Sequence, residues 1–253
     1  MKYSLCALAS GLAVAFAGTA AFASSTGNTY QNGFNNDAEI TQAYNGNATA
    51  TITQLEVSNV AKADQSNNFF GPAQIDLYQK GHDNYANAKQ SGNVGASSKV
   101  VQKGWQNVVN TDQRHNGNAR SDVYQDGVNN TADVKQSWTG DASAQIVQAG
   151  WKNVANTTQK HSLDATADTY QNGINNSADV TQKWTYDADA KIVQAGFQNT
   201  STVMQRYGSN QSADLYQNGW VNSASVMQTG SNLSATAVQI GIGNTASFNQ
   251  TGW

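Results

Sequence analysis

Twenty glutamines carry the most ordered side-chain chemistry in this chain. They are Gln31, Gln42, Gln54, Gln65, Gln79, Gln90, Gln102, Gln113, Gln125, Gln136, Gln148, Gln159, Gln171, Gln182, Gln194, Gln205, Gln217, Gln228, Gln239 and Gln250. Their separations alternate between 11 and 12 residues, and one interruption stands out, the 14 residues from Gln65 to Gln79. A primary amide has two N–H donors and a carbonyl acceptor, so identical amides on stacked strands can bond the copy above and the copy below. An isolated buried amide is costly, but in a ladder each member satisfies the next. The chemistry offered is repetitive hydrogen bonding, not bond making or breaking.

Two further residue types keep the same phase. Five positions after the first glutamine of each pair stands Asn36, Asn59, Asn84, Asn107, Asn130, Asn153, Asn176, Asn199, Asn222 or Asn244. Two positions after it stands Gly33, Gly81, Gly104, Gly127, Gly150, Gly173, Gly196, Gly219 or Gly241, with Glu56 in the second unit. Glycine at a fixed offset marks a corner that needs an unusual backbone or a close approach.

Other candidate chemistry is sparse. His115, Trp138, His161, Trp184 and Tyr207 share one corner column, with Arg114, Lys160, Lys183 and Arg206 beside it. The column reads as an outward aromatic stack. Its other reading is a surface groove for planar, anionic or sugar ligands, held by stacking and cation–π contact. Phe34, Trp105, Trp151, Phe197 and Trp220 form a second column, read as a lateral packing edge. The acids and hydroxyls follow the repeat and form no catalytic cluster. No spacing suggests a metal site, and no cofactor is expected.

These residues need elements that repeat. Eleven plus twelve is a 23-residue unit, recurring ten times, and such periods mean a solenoid, propeller or array. Counting back by twos from the first glutamine gives a β-branched or apolar residue (Ile52, Leu77, Val100, Ile146), then a small one (Ala50, Ser98, Ala144), then alanine (Ala48 to Ala188). No charge occupies these positions. Alternation by two is strand periodicity, and the Gly, Asn and Thr content opposes helix. Each unit is therefore expected to be strand, corner, strand, corner. Stacked about 4.8 Å apart, ten units make an all-β, two-sheet parallel β-solenoid with cross-β stacking, roughly 48 Å long.

The outward positions are ordered as well. The residue before the first glutamine alternates between tyrosine and a β-branched residue, as in Tyr78, Val101, Tyr124 and Val147. Charges alternate in columns, as in Asp76–Lys99–Asp122 and Lys89–Asp112–Lys135. Opposite signs on neighbouring rungs suit parallel stacking.

Composition narrows the class. Charged residues are only 12% of the chain, and there is one proline and one cysteine. With no basic excess, a nucleic-acid partner is not expected. Residues 1–23 read as a secretory signal: Lys2, an apolar run from Leu5 to Ala21, and a small-x-small site at Ala21-Phe22-Ala23. Cys6 leaves with it, so a mature chain of residues 24–253 has no thiol chemistry and no transmembrane segment.

The unit Gln217-x-Gly219-x-x-Asn222-x-Ala224-x-x-x-Gln228 resembles the curlin repeat. The C-terminal unit, Val238 to Gln250, is similar to the last repeat of the major curli subunit. The resemblance implies a secreted structural subunit of curli amyloid fibres on a Gram-negative cell surface. It also implies export through an outer-membrane pore, a nucleator curlin subunit as partner, and a place in biofilm matrix and surface adhesion.

The end of the repeat points the same way. The last charged residue is Asp214, so the final rung reads as a bare, uncharged edge. Such an end, matched by repeat symmetry to the other, makes a head-to-tail contact that does not close. The alternatives are a minor nucleator subunit of the same fibres, or a monomeric β-solenoid binding protein. The binder would need a flat outward threonine array, where this chain mixes Tyr, Val, Lys and Asp.

Overall fold

A computed structural model describes residues 25–68 and 71–252 of the 253. The secretory segment and its cleavage site lie outside these residues, as do Phe69, Phe70 and Trp253.

Ten rungs follow one another along an axis. The first four are β1 (Thr26–Phe34) with β2 (Asp37–Ala43), β3 (Asn47–Val57) with β4 (Val60–Ser66), β5 (Pro72–His82) with β6 (Tyr85–Ser91), and β7 (Ser97–Trp105) with β8 (Val108–Arg114). Then come β9 (Arg120–Val128) with β10 (Thr131–Ser137), and β11 (Ser143–Trp151) with β12 (Val154–Lys160). β13 (Thr166–Ile174), β14 (Ser177–Phe197), β15 (Thr200–Trp220) and β16 (Ser223–Thr229) build the next three, and β17 (Leu233–Ile242) with β18 (Thr245–Thr251) build the last.

Odd-numbered strands pair with odd and even with even up to β13, always in parallel, so each rung adds one strand to each of two facing sheets. β14 and β15 are long enough to run through a corner and belong to both sheets, which is why the pairing graph is a single 18-stranded sheet. Every glutamine pairs with its counterpart, from Gln31↔Gln54 to Gln217↔Gln239 in one sheet and from Gln42↔Gln65 to Gln228↔Gln250 in the other.

The core is thin. Alanines and β-branched residues such as Ala50, Ile52, Val100 and Ile146 are buried between the sheets. Among the described residues the buried polar side chains are Asn, Gln, Ser and Thr, and no charged residue is buried. The apolar core falls into two clusters, one ending at Ala155 and the other beginning at Ala167. Thr157 and Thr169, both buried, occupy inward positions at that break.

The repeat has a second irregularity that the reading of a single interruption overlooks. Gln228 to Gln239 is 11 residues where 12 is the rule, so the rung from Gln217 to Gln239 has 22 residues. Arg206 pairs with Thr229 and Gln211 with Leu233, which places the missing residue at the Tyr207 position of the second corner. The longer rung also takes up its extra residues at that corner, between Asn68 and Pro72. Corners absorb length changes because they carry few ladder bonds, whereas a one-residue shift inside a strand would turn its buried face outward.

Candidate functional site

The glutamine ladders are continuous. In the first sheet Nε2 of each glutamine donates to Oε1 of the next, from Gln31 to Gln54 at 2.7 Å through Gln125 to Gln148 at 2.7 Å to Gln217 to Gln239 at 2.8 Å. In the second sheet the series runs from Gln42 to Gln65 at 2.8 Å to Gln228 to Gln250 at 2.8 Å. The donor always belongs to the earlier rung. The remaining N–H crosses the core to a backbone carbonyl of the facing sheet, as from Gln148 to Thr131 at 3.0 Å and from Gln159 to Ser143 at 2.9 Å. Each amide therefore ties rung to rung and sheet to sheet.

The asparagines form a third ladder with the opposite sense. Nδ2 of Asn59 donates to Oδ1 of Asn36 at 3.2 Å, and the pattern continues to Asn244 and Asn222 at 3.0 Å. The same Nδ2 reaches the glycine carbonyl of the following rung, as from Asn153 to Gly173 at 3.0 Å. That glycine column packs backbone on backbone: a Cβ on Gly127 would lie 2.0 Å from the Gly150 carbonyl oxygen, and its φ is 132°. Glu56 interrupts the column at φ 78°, and nothing in the structure explains it.

A fourth column escapes the sequence pattern. Asn45, Asn68, Asn93 and Asn116 are buried at the second corner, and Nδ2 of Asn116 donates to the Gln136 carbonyl at 3.0 Å. Thr139, Ser162 and Thr185 continue it, and then Gly208 leaves it empty. Gln211, from an alanine position, fills the gap and donates to the Gly230 carbonyl at 2.7 Å. The signal was present, since these asparagines stand three positions after the second glutamine, but it fades into four residue types.

The aromatic corner column closes on itself. His115 and Trp138 stack at 4.4 Å, Trp138 and His161 at 6.4 Å, and His161 and Trp184 at 3.9 Å, with planes within 8°. The stacked rings stay about half exposed, Trp138 at 56% and Trp184 at 53%. Tyr207 follows in sequence but makes no ring contact of this kind. Each of the five sits in the left-handed region, between φ 50° and 57°, which bulky side chains rarely adopt.

The charge columns are in register, with Asp76 opposite Lys99 and Lys99 opposite Asp122. Ion pairs form along strands instead. Arg114 meets Asp112 at 2.6 Å, Arg120 meets Asp122 at 2.5 Å and Lys135 meets Asp133 at 2.7 Å, each two residues apart. Only Lys62 and Glu39, at 3.0 Å, pair across rungs among the described residues. Arg114 and Arg120 have only serines stacked on them, whereas Lys135 reaches past the stacked Asp112 to Asp133 on its own strand. Such exposed pairs contribute little. Burial raises Asp168 above the ordinary carboxylate range; Lys191 opposes the shift and Asp189 adds to it.

Among the described residues no three His, Cys, Asp or Glu converge as a metal site, and no helix is long and apolar enough to cross a membrane. A comparison with characterised proteins returns no match. Residues 187–219 and 222–252 match the family model described as curlin associated repeat. The same glutamine and asparagine ladders run through the earlier rungs, and the Gln-x-Gly-x-x-Asn spacing recurs there except at Glu56.

Proposed function

We propose that this chain is the structural subunit of an extracellular curli-type amyloid fibre, growing by end-to-end stacking of copies. The observation that carries the reading is the constant donor sense of the glutamine ladders. Every interior glutamine accepts from the rung before it and donates to the rung after it. At the last described rung, Nε2 of Gln239 and Gln250 each donate one N–H to a backbone carbonyl, of Ser223 and Ser234, and have no following amide. At the first, Oε1 of Gln31 and Gln42 has no preceding donor. Donors at one end and acceptors at the other complement each other head to tail. The asparagine ladder, opposite in sense, complements itself in the same joint.

The joint also keeps the outer pattern. With an even number of rungs, Val238 at one end meets Tyr30 of the next copy, so the Tyr/Val alternation continues across it. No charge column runs through the joint, because the last strands carry none. β17 and β18 are paired on one face only, and flat unpaired edges template addition.

Residues 1–23 then act as the secretory signal. Export through an outer-membrane pore, start-up by a nucleator curlin, and a place in adhesive biofilm matrix follow from the family resemblance. Seeded thioflavin-T kinetics on purified residues 24–253 test the reading. A lag abolished by the chain's own sonicated seeds, with a 4.7–4.8 Å meridional reflection, is expected. A soluble chain with a cooperative β melt and no seeding would overturn it in favour of a self-contained binding solenoid.

A further inference from the structure

The first corner carries an apolar stripe along the whole stack. Phe34, Trp105, Trp151, Ile174, Trp220 and Ile242 all stand three positions after a first glutamine, and they are 76%, 60%, 48%, 38%, 60% and 74% exposed. Smaller or less exposed residues, Val57, Val128 and Phe197 among them, lie between, so wide and narrow side chains share one line. The stripe has no Asp, Glu, Lys or Arg. Its members already touch along the axis: His82 meets Trp105 edge-on at 5.6 Å, and Phe197 meets Trp220 at 6.2 Å.

The other sides of the stack suit self-contact less well. The sheet faces carry the charge columns. The second corner exposes Asp141, Asp164 and Asp187 on three successive rungs, a like-charged row that repels a second copy of itself. The first corner holds an uncharged line of large apolar residues, flanked singly by Glu56, Asp83 and Lys152, with Lys152 Nζ 5.1 Å over the Trp151 ring.

We propose that this stripe pairs two stacks of the chain side by side, the same stripe serving both through a two-fold axis. The proposal rests on the end-to-end stacking reading. Area explains why stacking must come first. Aromatic side chains offer about 150–250 Å² each, so four aromatics and two smaller isoleucines at these exposures present roughly 700 Å² per chain. A stable contact buries about 800 Å² per partner, so two single chains are at the margin. In a filament the stripe continues from Ile242 to Phe34 of the next copy, and the buried area grows with every chain added. Filaments therefore pair far more firmly than isolated chains, and the contact is isologous and closed.

Mass per length by electron microscopy tests this, with the fibre reflection as a check on stacking. Wild-type filaments are expected to hold two chains per ten-rung rise. The variant Trp105→Ser/Trp151→Ser/Trp220→Ser is expected to hold one and to keep the 4.7–4.8 Å reflection. Leu163→Ser/Tyr186→Ser, exposed at the opposite corner, is expected to keep two. Single-stack wild-type filaments, or an unchanged mass per length in the triple variant, would overturn the pairing and leave stacking intact. Pairing is also overturned if the triple variant loses only adhesion to polystyrene, which would assign the stripe to foreign apolar surfaces, or if the opposite-corner variant halves the mass. Absence of the reflection in wild type would defeat the stacking reading itself. If the triple variant fails to assemble, Trp105→Lys alone reads the same quantity.

Discussion

Gln54 and Gln79 lie 25 residues apart in the chain, and their amides meet at 2.9 Å; Gln182 and Gln205 lie 23 apart and meet at the same distance. Register is thus set by the amides and by the inward alternation, while the second corner takes up the length difference. Removing one amide in mid-ladder should be far worse than changing a corner. Gln148→Ala deletes the bonds from Gln125 and to Gln171 and leaves a buried donor and a buried acceptor without partners. Each orphan costs about 1–3 kcal/mol. A lag lengthened severalfold and a denaturation midpoint lowered in proportion are expected. Gln148→Glu should be worse at neutral pH, because it buries a charge, and should recover partly on acidification; equal behaviour of the two variants would contradict the buried-ladder account.

Much of this architecture is legible because ten copies repeat one message. Alternation by two placed Ile52 and Ala50 inward, and spacing alone placed Gln31 opposite Gln54. What stayed hidden depends on competition between neighbours that a column alignment does not rank. Lys135 pairs with Asp133 on its own strand although Asp112 is stacked opposite it, because side-chain length, not only sign, decides the pair. The buried column from Asn45 to Thr185 is obscured because Asn, Thr and Ser all serve at the same corner position, as where Asn45 and Ser162 each reach a glutamine carbonyl. Gln211 was readable only as an exception to alanine, and its purpose appears once Gly208 is seen to leave its corner unfilled.

Thr157 and Thr169 are buried with hydroxyls that have no hydrogen-bond partner, whereas Ser98 and Thr111 pair across the core at 2.8 Å. An unpaired buried hydroxyl costs about 1–3 kcal/mol. Valine has nearly the same shape without the oxygen. Thr157→Val and Thr169→Val should each stabilise by about 1 kcal/mol and join the two apolar clusters. Thr111→Val should destabilise instead, since it orphans Ser98. Urea or guanidinium midpoints of the three variants check the difference in sign.

Asp168 is half-buried, and burial raises its carboxyl above the ordinary value of 3.8 despite the opposing Lys191. A carboxyl raised in the folded state takes up its proton there before it does in the unfolded chain. Its contribution therefore favours folding more as pH falls through the folded value, and penalises it at neutral pH. Asp168→Asn should stabilise at pH 7, and its advantage over wild type should shrink as pH falls into the carboxylate range. An advantage that grows on acidification would mean that attraction to Lys191 outweighs burial.

Two glycines give opposite expectations for the same substitution. Gly127 holds φ 132°, and a Cβ there would overlap the Gly150 carbonyl oxygen at 2.0 Å. Relief requires these two rungs to separate, which breaks the Asn130 bond to the Gly150 carbonyl at 3.0 Å. At Gly117 a Cβ would meet no atom within 4 Å, and the backbone there is not left-handed. Alanine at that position only reduces the freedom of the unfolded chain, which stabilises by about 0.4–1 kcal/mol. Gly117→Ala should raise the denaturation midpoint slightly. Gly127→Ala should lower it by several times that amount and slow seeded growth, because every copy added to the fibre would carry the same clash. Similar effects at the two positions would show that close stacking of the glycine backbones is not what holds the rungs at their spacing.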